Sequence, residues 1–209
     1  MSRLLIGLLT GIALSIPVSV SSAGEHQRRF AVEVALLAGD SRLLGGDGLS
    51  PEKRQWIEGR IASSLNVLPF LARHYLQEAG LDETGLLEQI KDLQQQARGG
   101  NELFEAAEEM SQRYPVRFPV DLERPLDTLT KSETASAYQQ MCLGCHLVPA
   151  LDRSVVIGNF GAFARAMPER EWLARLLGGL RGDSYTAYEN PFSDTEIAGF
   201  FRYIRDELP

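Results

Sequence analysis

Both cysteines of this 209-residue chain fall within one short frame, Cys142-Leu143-Gly144-Cys145-His146. Whatever fold the chain adopts must serve that frame, and few chemistries use it. A redox dithiol of the thioredoxin kind opens a helix behind a strand, but no β-branched strand pattern precedes Cys142. A zinc centre needs two further ligands at ligand spacing; no cysteine remains, and His26 and His74 stand alone. In an oxidising compartment the pair can also close as a disulfide. Covalent haem attachment is the reading that employs every member of the frame. The thiols of Cys142 and Cys145 add to the two vinyl groups on one porphyrin edge, and the imidazole of His146 binds the iron from below as proximal ligand. One covalently bound haem c is therefore expected.

The beginning of the chain agrees with this chemistry. Arg3 precedes an apolar run from Leu4 to Val20, broken by Pro17, and Ser21-Ser22-Ala23 supplies the small residues of a processing site. Residues 1–23 read as a secretory signal cleaved after Ala23, which makes Gly24 the mature amino terminus in the periplasm. An uncleaved segment would instead anchor the protein, and only then is a membrane involved. No cysteine follows the cleavage site to take a lipid. The net charge of -7 and the lack of Lys/Arg clusters argue against a nucleic-acid partner.

Helical signals surround the cysteine frame. Thr130-Lys131-Ser132-Glu133 has the form of a capping box, with Ala135, Tyr138 and Cys142 following at helical spacing. Trp172, Leu173, Leu176, Leu177 and Leu180 mark a second helix, with Gly182 placed as its C-terminal glycine. Ser193-Asp194-Thr195-Glu196 is another capping box, and behind it Ile197, Phe200, Phe201, Ile204 and Leu208 form one apolar stripe of a terminal helix about fourteen residues long.

From "YQQMCLGCH" (138–146), "PAL" (149–151) and "FSDTEIAGFFRYIRDEL" (192–208), residues 129–209 resemble the class I c-type cytochromes, small all-α electron carriers. The resemblance implies that the first and last helices of this part cross beside the haem, with Tyr138 and Tyr203 as aromatic contacts. It also implies that the carbonyl of Pro149 accepts a hydrogen bond from the proximal imidazole. Trp172 and Phe200, with Phe160, Phe163 and Phe201, are expected to keep water from the ring.

In one respect the chain departs from that family. The sixth iron ligand there is usually the methionine of a Met-Pro-x-Phe turn, eight residues before the serine that caps the last helix. Here that position is Tyr185, and no methionine lies between Arg181 and Pro209. Met167, in a Met-Pro dipeptide 21 residues after His146, is one substitute. Its alternative role is core packing. Tyr185 itself and His74 are others, and an open or water-filled site is the fourth.

Upstream, Ser50-Pro51-Glu52 opens a helix carrying Trp56, Ile57 and Ile61 inward. Further helices are expected over 68–79, 83–98 and 101–114, enough for a small bundle in region 24–112. Residues 113–128, with three prolines between Arg113 and Asp127, read as an extended linker ahead of the haem domain at 129–209. "NELFEAAEEM" (101–110) reads as a solvated acidic face. The expected fold is all-α. The expected function is single-electron transfer between redox proteins, such as a dehydrogenase, another cytochrome or a terminal oxidase. A haem sensor with an open iron, or an accessory subunit docked through the upstream bundle, are the other readings. A catalytic haem is not indicated, because neither 154–167 nor the C-terminal stretch offers a distal His/Arg pair, although Arg165 and Arg181 are candidates for positions near the ring.

Overall fold

The computed structural model describes residues 24–82, 84–96, 101–143, 160–179 and 192–209. All regular structure among them is helical, so the fold is all-α. The expected positions Cys145, His146, Pro149, Leu180, Arg181, Gly182 and Tyr185 lie outside the described residues.

The first helix, α1 (Glu25–Leu44), was not expected from the sequence, yet it is the centre of the molecule. Every residue from Phe30 to Ser41 is buried. A helix buried around its whole circumference has no exposed polar face to impose a period, and it belongs in an interior. One side of α1, with Phe30, Val34, Leu37 and Ala38, enters a core shared with α2 (Pro51–Ala79), α3 (Thr84–Gln96) and α4 (Asn101–Arg113). Its other side, with Val32, Ala35 and Leu36, packs against Ala174 and Leu177 of the C-terminal half.

Ser50 caps α2 as expected, its hydroxyl accepting from the Lys53 amide, with Pro51 in the first turn. The helix then runs without interruption to Gly80, which closes it with φ +66°. The sequence had suggested a separate helix from Leu68. Pro69 sits inside α2 and cannot donate to the carbonyl four residues earlier, a defect worth about 3 kcal/mol in a helix interior. That carbonyl belongs to Leu65, and the side-chain amide of Gln94 on α3 donates to it at 2.8 Å. A neighbouring helix thus supplies the missing donor, while Leu65, Leu68, Ala72 and Leu76 bury the flanking turns.

In the second half, α5 (Thr128–Met141) begins two residues before the expected start. Asp127, not Thr130, is the N-cap, accepting from the Thr130 amide at 2.8 Å. Two short helices follow, α6 (Phe160–Ala166) and α7 (Glu169–Leu177). Helix α7 stops at Gly178 rather than reaching Gly182. A Cβ at Gly178 would lie 3.0 Å from Leu36 Cδ1, and Gly179 then turns the chain at φ +66°. The last helix, α8 (Asp194–Arg202), carries the expected capping box between Ser193 and Glu196 and continues as a π-helical turn, Tyr203–Glu207.

Where α1 meets α7 the contact is charged as well as apolar. Asp40, 1% exposed, pairs with Arg60 at 2.6 Å and Arg175 at 3.0 Å; Glu171 pairs with Arg175 at 2.7 Å and Arg42 at 2.9 Å. Gly39 admits the Glu171 carboxyl against the backbone of α1. Burial works to lower the Arg175 basicity, but the fields of Asp40 and Glu171 outweigh it and hold that guanidinium above its ordinary value. For Arg60, burial wins over Asp40 and the shift is downward. Arg28 reaches Asp194 at 2.7 Å, and Arg170 pairs with Glu108, so one glutamate of the acidic α4 face is engaged by the other half. Residues 114–127 carry no helix, and Val116, Phe118 and Leu122 pack against the second core.

Candidate functional site

Cys142 closes α5. Its amide donates to the Tyr138 carbonyl at 2.9 Å, so the backbone is still helical when it delivers the first thiol of the Cys-x-x-Cys-His frame. One turn earlier, Tyr138 is buried, and burial pushes its phenol up, with the Cys142 and Tyr203 side chains adding to the shift.

Around this point lies an aromatic cluster drawn from α5, α6, α7 and α8. Tyr138 lies against Tyr203, ring centroids 5.7 Å apart, and stacks more distantly on Phe160 at 6.4 Å. Phe160 meets Trp172 edge-on at 5.3 Å, and Phe192 meets Phe200 at 4.8 Å. Trp172 is 2% exposed, and its indole N–H donates to the Phe201 carbonyl at 3.2 Å. A buried indole needs such an acceptor, and the bond fixes α7 against α8. Cys142 and Leu143 are half-buried on the rim of this cluster.

Helices α5 and α8 come close enough that Gly199 has no room for a side chain. A Cβ there would lie 2.7 Å from Thr134 Oγ1. Tyr138 and Tyr203, named from the resemblance as aromatic contacts of the haem, lie beside this approach and against each other. The glycine that permits the approach carried no motif, and sequence reasoning passed it over.

Candidates for a sixth iron ligand fall in different places. Met167 is 5% exposed, between α6 and α7, inside the cluster that Cys142 borders. His74 is on α2, in the other half, stacked on His26 with centroids 4.8 Å apart and edge-on to Phe70 at 4.4 Å. Arg165, considered for the haem neighbourhood, donates to the carbonyls of Arg205 at 2.7 Å and Leu208 at 2.8 Å, and so closes the C-terminal end of the last helix.

Among the described residues no three His, Cys, Asp or Glu side chains gather into a metal-binding group, and no helix is long and apolar enough to cross a membrane. The described neighbourhood of Cys142 is apolar and aromatic. Tyr138, Phe160, Met167 and Phe200 belong to one apolar cluster, and the thiol stands at its edge. Compared with protein-family models, curated proteins and solved structures, the chain matches none.

Proposed function

We propose that the chain is an exported mono-haem protein of the class I cytochrome c kind, carrying single electrons between redox partners in the periplasm. The observation that carries the reading is the seat of Cys142. A helix delivers the first cysteine of a haem-attachment frame to the rim of a buried aromatic cluster, beside a close contact between the first and last helices of that half.

Cys142 and Cys145 would hold the group covalently and His146 would take the iron from one side, with the Pro149 carbonyl orienting the imidazole. When bound, haem supplies a one-electron iron couple whose potential depends on axial ligand, burial and hydrogen bonding. Trp172, Phe160, Phe200 and Phe201 exclude water from that side of the cluster. Tyr138 and Tyr203 brace the contact between α5 and α8. Met167 is the favoured sixth ligand, because it alone of the described candidates shares a cluster with Cys142. The acidic excess upstream, 18 acidic against 12 basic residues between Gly24 and Asp127, favours encounter with a basic partner.

The absorption spectrum of the matured protein, ferric and ferrous, with and without carbon monoxide, tests this. A low-spin spectrum indifferent to carbon monoxide, converted by Met167→Ala to one that binds it, is the expected result. A second reading is favoured by the absence of any methionine between Arg181 and Pro209. In it the iron is open and the protein senses a small ligand; a high-spin ferric form that binds carbon monoxide on reduction, in wild type and Met167→Ala alike, would establish it over the carrier.

A further inference from the structure

His26, stacked on His74, is the third residue counted from Gly24, the residue that processing after Ala23 would make the amino terminus. We propose that the processed protein binds copper(II) or nickel(II) at Gly24-Glu25-His26, a metal site separate from the haem. This rests on the reading of the chain as an exported and processed protein. The donors are the α-amine of Gly24, the main-chain nitrogens of Glu25 and His26, and the His26 imidazole. Four nitrogens in succession can wrap a square plane, the geometry these two ions favour.

The local backbone is suited to it. The first amides of a helix have no acceptor within the helix. Here the Arg28 amide donates to the Gly24 carbonyl at 3.0 Å and the Gln27 amide to Glu78 at 2.9 Å, both downstream of the two amides that would bind. Helical ψ from Glu25 onward holds successive nitrogens on the same side of the chain. Only the Gly24 amine is turned away, at ψ 160°. Rotation about the Gly24 Cα–C bond brings it round while leaving the carbonyl and its bond to Arg28 in place, and glycine rotates there without a side chain to obstruct it.

Charge favours the same outcome. A free ammonium at the positive end of α1 is opposed by the helix dipole, with the Glu78 carboxyl packed beside Gly24 as its nearest offset. On metal binding the ammonium proton and both amide protons leave to solvent, so the chelate is neutral and uptake strengthens as pH rises. A site made by the two imidazoles alone is disfavoured, because the rings lie 23° from parallel and present faces, not nitrogens, to each other.

The test is copper(II) titration of the full-length matured haem protein, with free glycine as competitor, read by the visible band and electron paramagnetic resonance of copper. The amino terminus is identified first by intact mass. One copper per chain in a four-nitrogen environment is expected, with affinity lowered by more than roughly 100-fold in His26→Ala, beyond what loss of an outer partner costs a metal site. One alanine added ahead of Gly24 should have the same effect, because it moves His26 to fourth place, whereas His74→Phe should keep the four-nitrogen signal. Equal copper affinity in the extended protein overturns the proposal in favour of an imidazole pair. A matured chain that begins at another residue overturns it together with the processing site, while the haem reading stands or falls on its own absorption spectrum.

Discussion

The two cores of this molecule are built on different plans. The first joins four helices of 20, 29, 13 and 13 residues through mainly aliphatic side chains, Leu37, Leu68, Ile90 and Leu93 among the most buried. Among the described residues the second is assembled from α5 of 14 residues and three helices of 7 to 9, and its interior is rich in aromatic side chains. Short helices are marginal in water and owe their stability to what they pack against. The long helices cover one another. The short ones surround the point where Cys142 begins the Cys-x-x-Cys-His frame.

That contrast can be broken most directly at Cys142. Cys142→Ala should abolish covalent haem, seen as loss of haem-dependent staining on a denaturing gel, and should reduce the helical signal of the second core while the first persists. Equal loss from both cores would show that they are not distinct. Next in size, Asp40→Ala leaves Arg60 and Arg175 without their shared carboxylate, and breaking a buried pair costs about 3 to 5 kcal/mol. Chemical denaturation should show that loss as a lower midpoint. An unchanged midpoint would mean that the charged contact is incidental.

Smaller effects sharpen the comparison within the second core. Gly199→Ala sets a methyl against Thr134 Oγ1 and should cost about 1 to 3 kcal/mol. Thr134→Ala in the same chain should recover most of it, a coupling that thermal unfolding of the double mutant would measure. Ser193→Ala removes an N-cap and should cost about 1 kcal/mol. The caps also predict a pH dependence. Hydrogen bonds from the Ser193 hydroxyl and amide hold the Glu196 carboxyl below its ordinary 4.5, and those at Thr130 hold Asp127 below 3.8. A depressed carboxyl contributes stability that is complete above its unfolded value and is lost as pH falls through the folded one. The thermal midpoint of wild type should therefore drop below about pH 4.5 more steeply than that of Ser193→Ala.

What the sequence disclosed follows the same division. Ser50-Pro51 and Ser193-x-x-Glu196 are local signals, satisfied by atoms within three residues, and they mark their helices correctly. Thr130 resembled such a signal but competes with Asp127, which stands closer to the point where the chain leaves its extended path. A helix over 68–79 was read apart from the one that Ser50 opens, because Gln94, which satisfies the carbonyl that Pro69 leaves open, is 25 positions beyond that proline and carries no mark of its purpose. Helix α1 was invisible because it is enclosed on all sides and has no exposed stripe to alternate with. At the site, the proposed chemistry rests on the five residues from Cys142 to His146, and the absorption spectrum tests it. The resemblance named Tyr138 and Tyr203 as contacts of the haem; their contact with each other, and the close approach of Gly199 to Thr134, came only from the structure.

The enclosure of α1 also bears on the order in which the protein can be completed. Its charged partners in the second half lie far along the chain, Asp40 to Arg175 separated by 135 residues, Arg42 to Glu171 by 129 and Arg28 to Asp194 by 166. On the proposal that the protein is exported, a chain threaded across a membrane amino terminus first presents this helix first; one side of it can meet α2 and α4 early, but the side that faces α7 waits until nearly everything else has arrived. Contacts so distant in sequence are slow to close, and an apolar surface left waiting is open to wrong association. The cysteine frame emerges before α7 does. Haem attachment would then act on a chain whose two halves are not yet locked together, and the closure of α1 onto α7 would be the last step of maturation.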